Sequence, residues 1–128
     1  MLTEHQIEIR VRYQETDGQG HVHHANYLTY FEQGRVEMLR AGGKDYREFE
    51  EQGLFLIIAG INVRYFLPTY FDDLLQLTTT TVRAKGVRIV HNYQLMRGDD
   101  LIAEGETTVA CINREGKLTK LPDWMRLA

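Results

Sequence analysis

Asp17 is the residue with the clearest chemical potential in this chain. It lies in the stretch ETDGQGHVHHANY, residues 15–27, between a segment that alternates and one that repeats with a helical period. Gly18 and Gly20 allow the backbone to bend and a ligand to come close to it. At the start of the helix that follows, unbonded N–H groups carry partial positive charge and can bind an anion or polarise a carbonyl. A carboxylate beside such donors is half of an acyl-transfer or hydrolysis site: one group attacks or activates water while the N–H groups hold the developing oxyanion. Asp17 has an equally simple structural use, as an Asx turn that satisfies its own backbone. On position alone the Asx turn is slightly the stronger reading.

The neighbouring side chains offer other chemistries. His21, His23 and His24 suggest a metal by composition, yet in extended backbone His21 and His23 share a side that His24 does not. No Cys or carboxylate at a recognised ligand spacing completes a tetrahedral set. A metal-dependent hydrolase is therefore a rival reading rather than the leading one. Glu15 suits a local hydrogen-bonding role, and Glu32 falls on the polar side of the coming helix. His5 reads as a surface residue, His91 as structural, and Cys111 as a core residue with no identifiable base partner. Arg83, Lys85 and Arg88 cluster around Gly86, where a charge run is either a solvated hairpin or a phosphate contact.

The elements that must position these groups follow from periodicity. QIEIRVRY alternates, with Ile7, Ile9, Val11 and Tyr13 on one side, which predicts a half-buried strand. From Asn26 the period changes: Tyr27, Phe31, Gly34, Met38 and Ala41 recur at spacings of three and four, opposite Thr29, Glu32, Gln33, Glu37 and Arg40. This predicts an amphipathic helix with Asn26 as N-cap and Gly42-Gly43 as its stop. Gly34 inside it costs on the order of 1 kcal/mol in propensity, tolerable where a helix must approach a sheet closely. KDYREFEEQG predicts a short second helix ending at Gly53. Four strands follow, within Leu54–Pro68, 73–85, 87–98 and 101–114, separated by turn signals too close for crossover helices, so they pair as antiparallel neighbours. One helix covers one sheet face. Leu75, Leu77, Ile89, Tyr93, Leu95 and Val109 are expected on the other, which predicts a second subunit as cover.

Bulk properties exclude several classes. At 128 residues, 43% hydrophobic and 26% charged, the chain makes one globular domain, residues 1–128. A net charge of −3 gives no bulk basicity for nucleic acid. No apolar run approaches the roughly 20 residues of a membrane span. The start of the sequence carries no secretory apolar region, and the single Cys111 fits a reducing compartment, so a cytoplasmic protein is expected.

The segment VRYQETDGQGHVHHANYLTYFEQGRVEML resembles the signature of hotdog-fold acyl-CoA thioesterases, in the 4-hydroxybenzoyl-CoA thioesterase-like family and its branch associated with bacterial Tol-Pal clusters. VRYFLPTYFDDLL extends the similarity, less specifically. The resemblance implies an α+β hotdog fold, a long five-stranded antiparallel sheet wrapped around one central helix, dimerising edge to edge and in many members into a dimer of dimers. It implies hydrolysis of acyl-CoA to a carboxylic acid and CoA without metal or other cofactor. Carried over by position, Asp17 is the nucleophile or general base, and His24 supplies the oxyanion amide with its imidazole beside the thioester. Tyr13 shapes the pocket or orients Asp17. Ala25, Asn26 and Tyr27 complete the helix-entrance donors, while Ile58 and Gly60 form the facing wall from the partner. Arg64, Arg83, Lys85 and Arg88 are candidate CoA contacts. His21, His23 and Thr69 depart from the pattern, which leaves acyl specificity open. A non-catalytic acyl-CoA-binding hotdog module is the other alternative.

Overall fold

Alternation and turn chemistry build a sheet whose strands are joined out of sequential order. The protein's structure, a computed structural model, describes residues 1–127. Strand β1 spans Glu4–Arg10, helix α1 Asn26–Ala41, helix α2 Tyr46–Glu51, β2 Phe55–Tyr65, β3 Leu74–Lys85, β4 Arg88–Arg97 and β5 Asp100–Ile112. The order across the sheet is β1-β3-β4-β5-β2, antiparallel throughout. β2 does not pair with β3, which follows it, but lies at the far edge against β5, so the chain crosses one end of the sheet in residues 66–73.

The helix fits the sheet through its smallest side chains. Tyr27, Tyr30, Phe31, Gly34 and Met38 are the buried residues of α1. A Cβ on Gly34 would stand 2.3 Å from Thr79 Oγ1 and 2.8 Å from Leu77 Cδ2, and one on Gly105 would stand 2.6 Å from the Phe31 ring. Two glycines, one on each element, thus set the distance between helix and sheet. Ala41, expected on the buried side, is exposed, whereas Tyr30 is fully buried. The helical period carries the apolar stripe through Tyr30, three residues after Tyr27.

Two expectations fail for geometric reasons. The chain leaves β1 at Arg10 and turns, so Ile9 and Val11 are buried while Tyr13 stands 75% exposed. Leu75, Leu77, Ile89, Tyr93, Leu95 and Val109 do not form a second apolar face; all are buried on the helix side, in two adjoining clusters. The alternate register places Glu4, Thr78, Thr80, Asn92, Gln94 and Glu106 around a polar groove on the outer face. That face needs no cover. Exposed apolar side chains gather instead on the edge strand β2 and its continuation: Ile57, Ile58, Ile61, Tyr65, Phe66 and Leu67.

Two stability predictions follow. Gly34→Ala would gain about 1 kcal/mol in helix propensity but crowd Thr79 and Leu77, so a net loss of about 1–3 kcal/mol is expected on chemical denaturation; a net gain would show that the contact is slack. His91, 6% exposed, has its imidazole pKa pulled down to about 4 by burial and then by the Arg35 cation. The unfolded chain therefore binds more protons between pH 6.5 and 4. Stability from neutral His91 is intact above pH 6.5 and is lost as pH falls towards 4, by on the order of 3 kcal/mol. Comparing wild type with His91→Gln across that range should show the slope fall in the variant by the His91 contribution.

Candidate active site

Between β1 and α1 the chain folds into a small hairpin fixed from both sides. Thr16 pairs with Val22 in an antiparallel bridge, and His21 with Tyr70. The Asp17 N–H donates to His21 O at 2.7 Å and the Gly20 N–H to Asp17 O at 3.0 Å, with Gly20 at φ +83°. Within this turn Asp17 Oδ1 accepts from the backbone N–H of Gln19 at 2.8 Å and of His21 at 3.2 Å. The Asx turn is thus realised, and it aims the carboxylate: one oxygen is held by two amides, which leaves Oδ2 without a hydrogen bond among the described residues.

Glu15 anchors the hairpin to the fold. Its carboxylate, 4% exposed, accepts from the Tyr30 hydroxyl at 2.8 Å, the Arg12 N–H at 2.8 Å and Arg12 Nε at 3.0 Å. Its carbonyl accepts from the Asn26 side-chain amide and from the His23 N–H, both at 2.8 Å. Burial, and next the Glu15 hydrogen bond, push the Tyr30 hydroxyl far above its ordinary pKa, so it stays a donor. The local hydrogen-bonding role expected of Glu15 is what the structure shows. Asn26 is not the N-cap; Ala25 occupies that position and Asn26 begins the helix, its side chain turned back to the loop.

The helix entrance has few free donors. The Ala25 N–H donates to His23 Nδ1 at 3.1 Å, the Asn26 N–H to His23 O at 2.9 Å and the Tyr27 N–H to His24 O at 3.4 Å. The His24 N–H makes no hydrogen bond among the described residues. Of the four expected amides, therefore, His24 is the one left open. The Tyr27 side chain belongs to the core, its hydroxyl 2.7 Å from Thr69 Oγ1. The Tyr65 hydroxyl donates to His24 O at 3.1 Å, tying the end of β2 to this entrance. Sequence reasoning missed Tyr65 and Tyr30. Tyr30 was signalled by its helical spacing from Tyr27, but no local pattern links Tyr65 to a residue so far away in the chain.

The remaining expected residues scatter. The loop histidines do not converge: His23 and His24 stack with ring centroids 4.2 Å apart, while His21 lies edge-on to Tyr70. Among the described residues no three His, Cys, Asp or Glu side chains group as a metal site. The Tyr13 ring packs edge-on to Phe71 and makes no hydrogen bond to Asp17 among the described residues. Ile58 and Gly60 lie exposed in β2, at a bulge in its register with β5. Arg64 lines the polar outer groove, away from the helix. Arg83, Lys85 and Arg88 are exposed at the hairpin between β3 and β4. β3 starts beside the Asp17 loop, where the Val11 N–H bonds Asp73 O, and runs away from it, so the cluster sits roughly 30 Å off within one chain. A single chain does not bring it to Asp17.

Residues 11–128 match the family model described as the thioesterase-like superfamily. The chain belongs to that superfamily. It is 34% identical over 106 residues to the acyl-CoA thioesterase YbgC of Haemophilus influenzae, covering 82% of this chain and 78% of that one. It is 30% identical over 111 residues to the acyl-CoA thioester hydrolase YbgC of Escherichia coli, covering 82% and 79%. The solved DHNA-CoA thioesterase of Staphylococcus aureus superposes with a TM-score of 0.90 at 28% identity, over 94% of this chain and 85% of that one. This thioesterase has the hotdog architecture that the loop-helix segment implied, and it is a thioester hydrolase. Replacing the donor that holds its hairpin tests the anchoring: Tyr30→Phe should cost about 1.5–3 kcal/mol and speed amide exchange in residues 16–22. Unchanged exchange there would show that Glu15 does not fix the loop.

Proposed function

We propose that this thioesterase hydrolyses acyl-CoA at the Asp17 loop. The observation that carries the reading is an amide-held carboxylate in the Thr16–Val22 hairpin followed by an open backbone donor, the His24 N–H, two residues before helix α1. The thioester carbonyl oxygen accepts from the His24 amide. Asp17 Oδ2 attacks the carbonyl carbon to give a mixed anhydride that water then cleaves, or takes a proton from the water that attacks directly; the C–S bond breaks, and the thiolate leaves as CoA with the proton that water gives up. Water ends the reaction as the acid's second oxygen. Charge develops on the carbonyl oxygen as the tetrahedral centre forms, and there a fixed N–H counts most. No metal or redox cofactor is invoked, and a cytoplasmic setting is the reading that composition supports.

The assembly proposed is a dimer at least, with pairing of dimers a further expectation of the resemblance. Its support is the apolar edge formed by β2. Joining two β2 edges antiparallel lays the end of one strand, where Tyr65 touches His24, beside the start of the other. That arrangement supplies Ile58 and Gly60 from the partner as the facing wall. It also returns the partner's basic hairpin to the side of the catalytic loop, where Arg83, Lys85 and Arg88 suit the phosphates of CoA.

Thiol release from a panel of aliphatic and aromatic acyl-CoAs checks the reading. Asp17→Asn should lower kcat by about 10²–10⁴-fold with its fold retained, and chelator should leave turnover of the wild type unchanged. Activity that survives Asp17→Asn, or that chelator removes, would shift the chemistry to the loop histidines. Binding of CoA esters without turnover would make the chain a binding module.

A further inference from the structure

The amide proposed to hold the oxyanion is oriented by bonds made to the carbonyls on either side of it. The His24 N–H shares its peptide unit with His23 O, which accepts from the Asn26 N–H at 2.9 Å. The next unit carries His24 O, which accepts from the Tyr65 hydroxyl at 3.1 Å and from the Tyr27 N–H at 3.4 Å. The second of these is long for an N–H···O bond, so the hydroxyl holds that carbonyl the more firmly. The His24 side chain adds little restraint of its own: it is exposed, and it stacks on the ring of His23, which is exposed too. Glu15, which anchors the hairpin, binds His23 and Asn26 but not His24 among the described residues.

Tyr65 differs from the other partners in where it comes from. Asn26 and Tyr27 belong to the same helix entrance and move with it. Tyr65 ends β2, 41 residues away in the chain. There its backbone faces Ala103 of β5, and the next amide, that of Phe66, donates to Ile102 O at 2.8 Å. Its ring meets the buried Tyr27 ring edge-on, with centroids 5.2 Å apart, and the Tyr27 hydroxyl lies 2.7 Å from Thr69 Oγ1. Sheet and core thus place the Tyr65 ring, and the ring places its hydroxyl. Burial raises the pKa of that hydroxyl, so it stays a donor. The residue is nonetheless 48% exposed, and phenylalanine would pack the same ring, so packing alone leaves the oxygen without a use. We propose that Tyr65 is a positioning residue for thioester hydrolysis: its hydroxyl, tied to β2, fixes the His24 peptide so that the neighbouring N–H meets the oxyanion as it forms. This rests on the acyl-CoA reading above. A donor is effective only if it stands about 2.7–3.1 Å from the place the oxyanion will occupy. Tyr65 therefore acts on the rate of the chemical step and not on the binding of the thioester.

The test is Tyr65→Phe, which removes the oxygen and keeps the ring. With the acyl-CoA that wild type turns over best, kcat should fall about 10-fold, a part of the 10²–10³ that loss of a whole oxyanion donor costs. KM should stay within about 2-fold, as expected for an interaction made only in the transition state. Without substrate, the ¹⁵N order parameter of the His24 amide should fall, while those of Gln19 and His21, which hold Asp17, stay in place. Melting temperature and sedimentation should stay close to wild type. An unchanged kcat would overturn the proposal, as would a loss carried by KM alone. A lower kcat with the His24 amide unmoved would make the hydroxyl a group that touches the substrate. A lower kcat with altered sedimentation would assign it to the β2 edge, and either result removes the positioning role. If wild type hydrolyses no acyl-CoA, the acyl-CoA reading fails and takes the proposal with it; that failure shows before any variant is compared.

Discussion

A buried carboxylate organises this molecule. Glu15 lies almost wholly out of water, where an unpaired charge would be costly. It is tolerated because Tyr30 and Arg12 supply its donors, and because Asn26 and His23 bind the carbonyl of the same residue. Those partners come from the end of β1, the hairpin and the first turns of α1. Satisfying one charge therefore fixes three pieces of backbone relative to one another. The Asp17 turn, two residues on, inherits that rigidity and can hold its carboxylate beside the helix entrance.

The helix entrance shows how a fold can reserve a donor. The first N–H groups of any helix lack partners within it. Here His23 takes two of them, one with its ring and one with its carbonyl, and His24 O takes a third. What remains open is the amide of His24, just ahead of the helix. Tyr65 holds the carbonyl of that same residue from the end of β2. The exposed β2 edge and the proposed oxyanion donor are thus mechanically joined, and a shift in that strand reaches the residue through a single hydrogen bond.

Much of this was legible from local pattern. Strand alternation, turn glycines and the change of period at Asn26 located every main element to within a few residues, and the loop-helix segment carried the family resemblance. Gly34 was read correctly as the point of close approach, and Glu15 as a locally bonded carboxylate. What failed was non-local. Alternation identified two strand faces but did not say which set of side chains met the helix, so Leu75, Leu95 and their neighbours were placed opposite to where they lie. The turn after Arg10 withdrew Tyr13 from its strand. Strand order decided that the basic hairpin would lie far from Asp17 in the same chain, and order across a sheet leaves no trace in residue spacing. Tyr65 shares that origin, since it gains its meaning from a partner distant in sequence.

The measurement that bears most directly on a site shared between two copies is complementation. Asp17→Asn would be co-expressed with Ile58→Trp, a change that crowds the facing wall, and the mixed dimer isolated by two affinity tags. Each variant alone should be inactive. If each site joins the Asp17 loop of one copy to the β2 wall of the other, the mixed dimer holds one intact site and recovers about half of the wild-type activity. A mixed dimer as inactive as its parents would place loop and wall in the same chain and contradict the shared site.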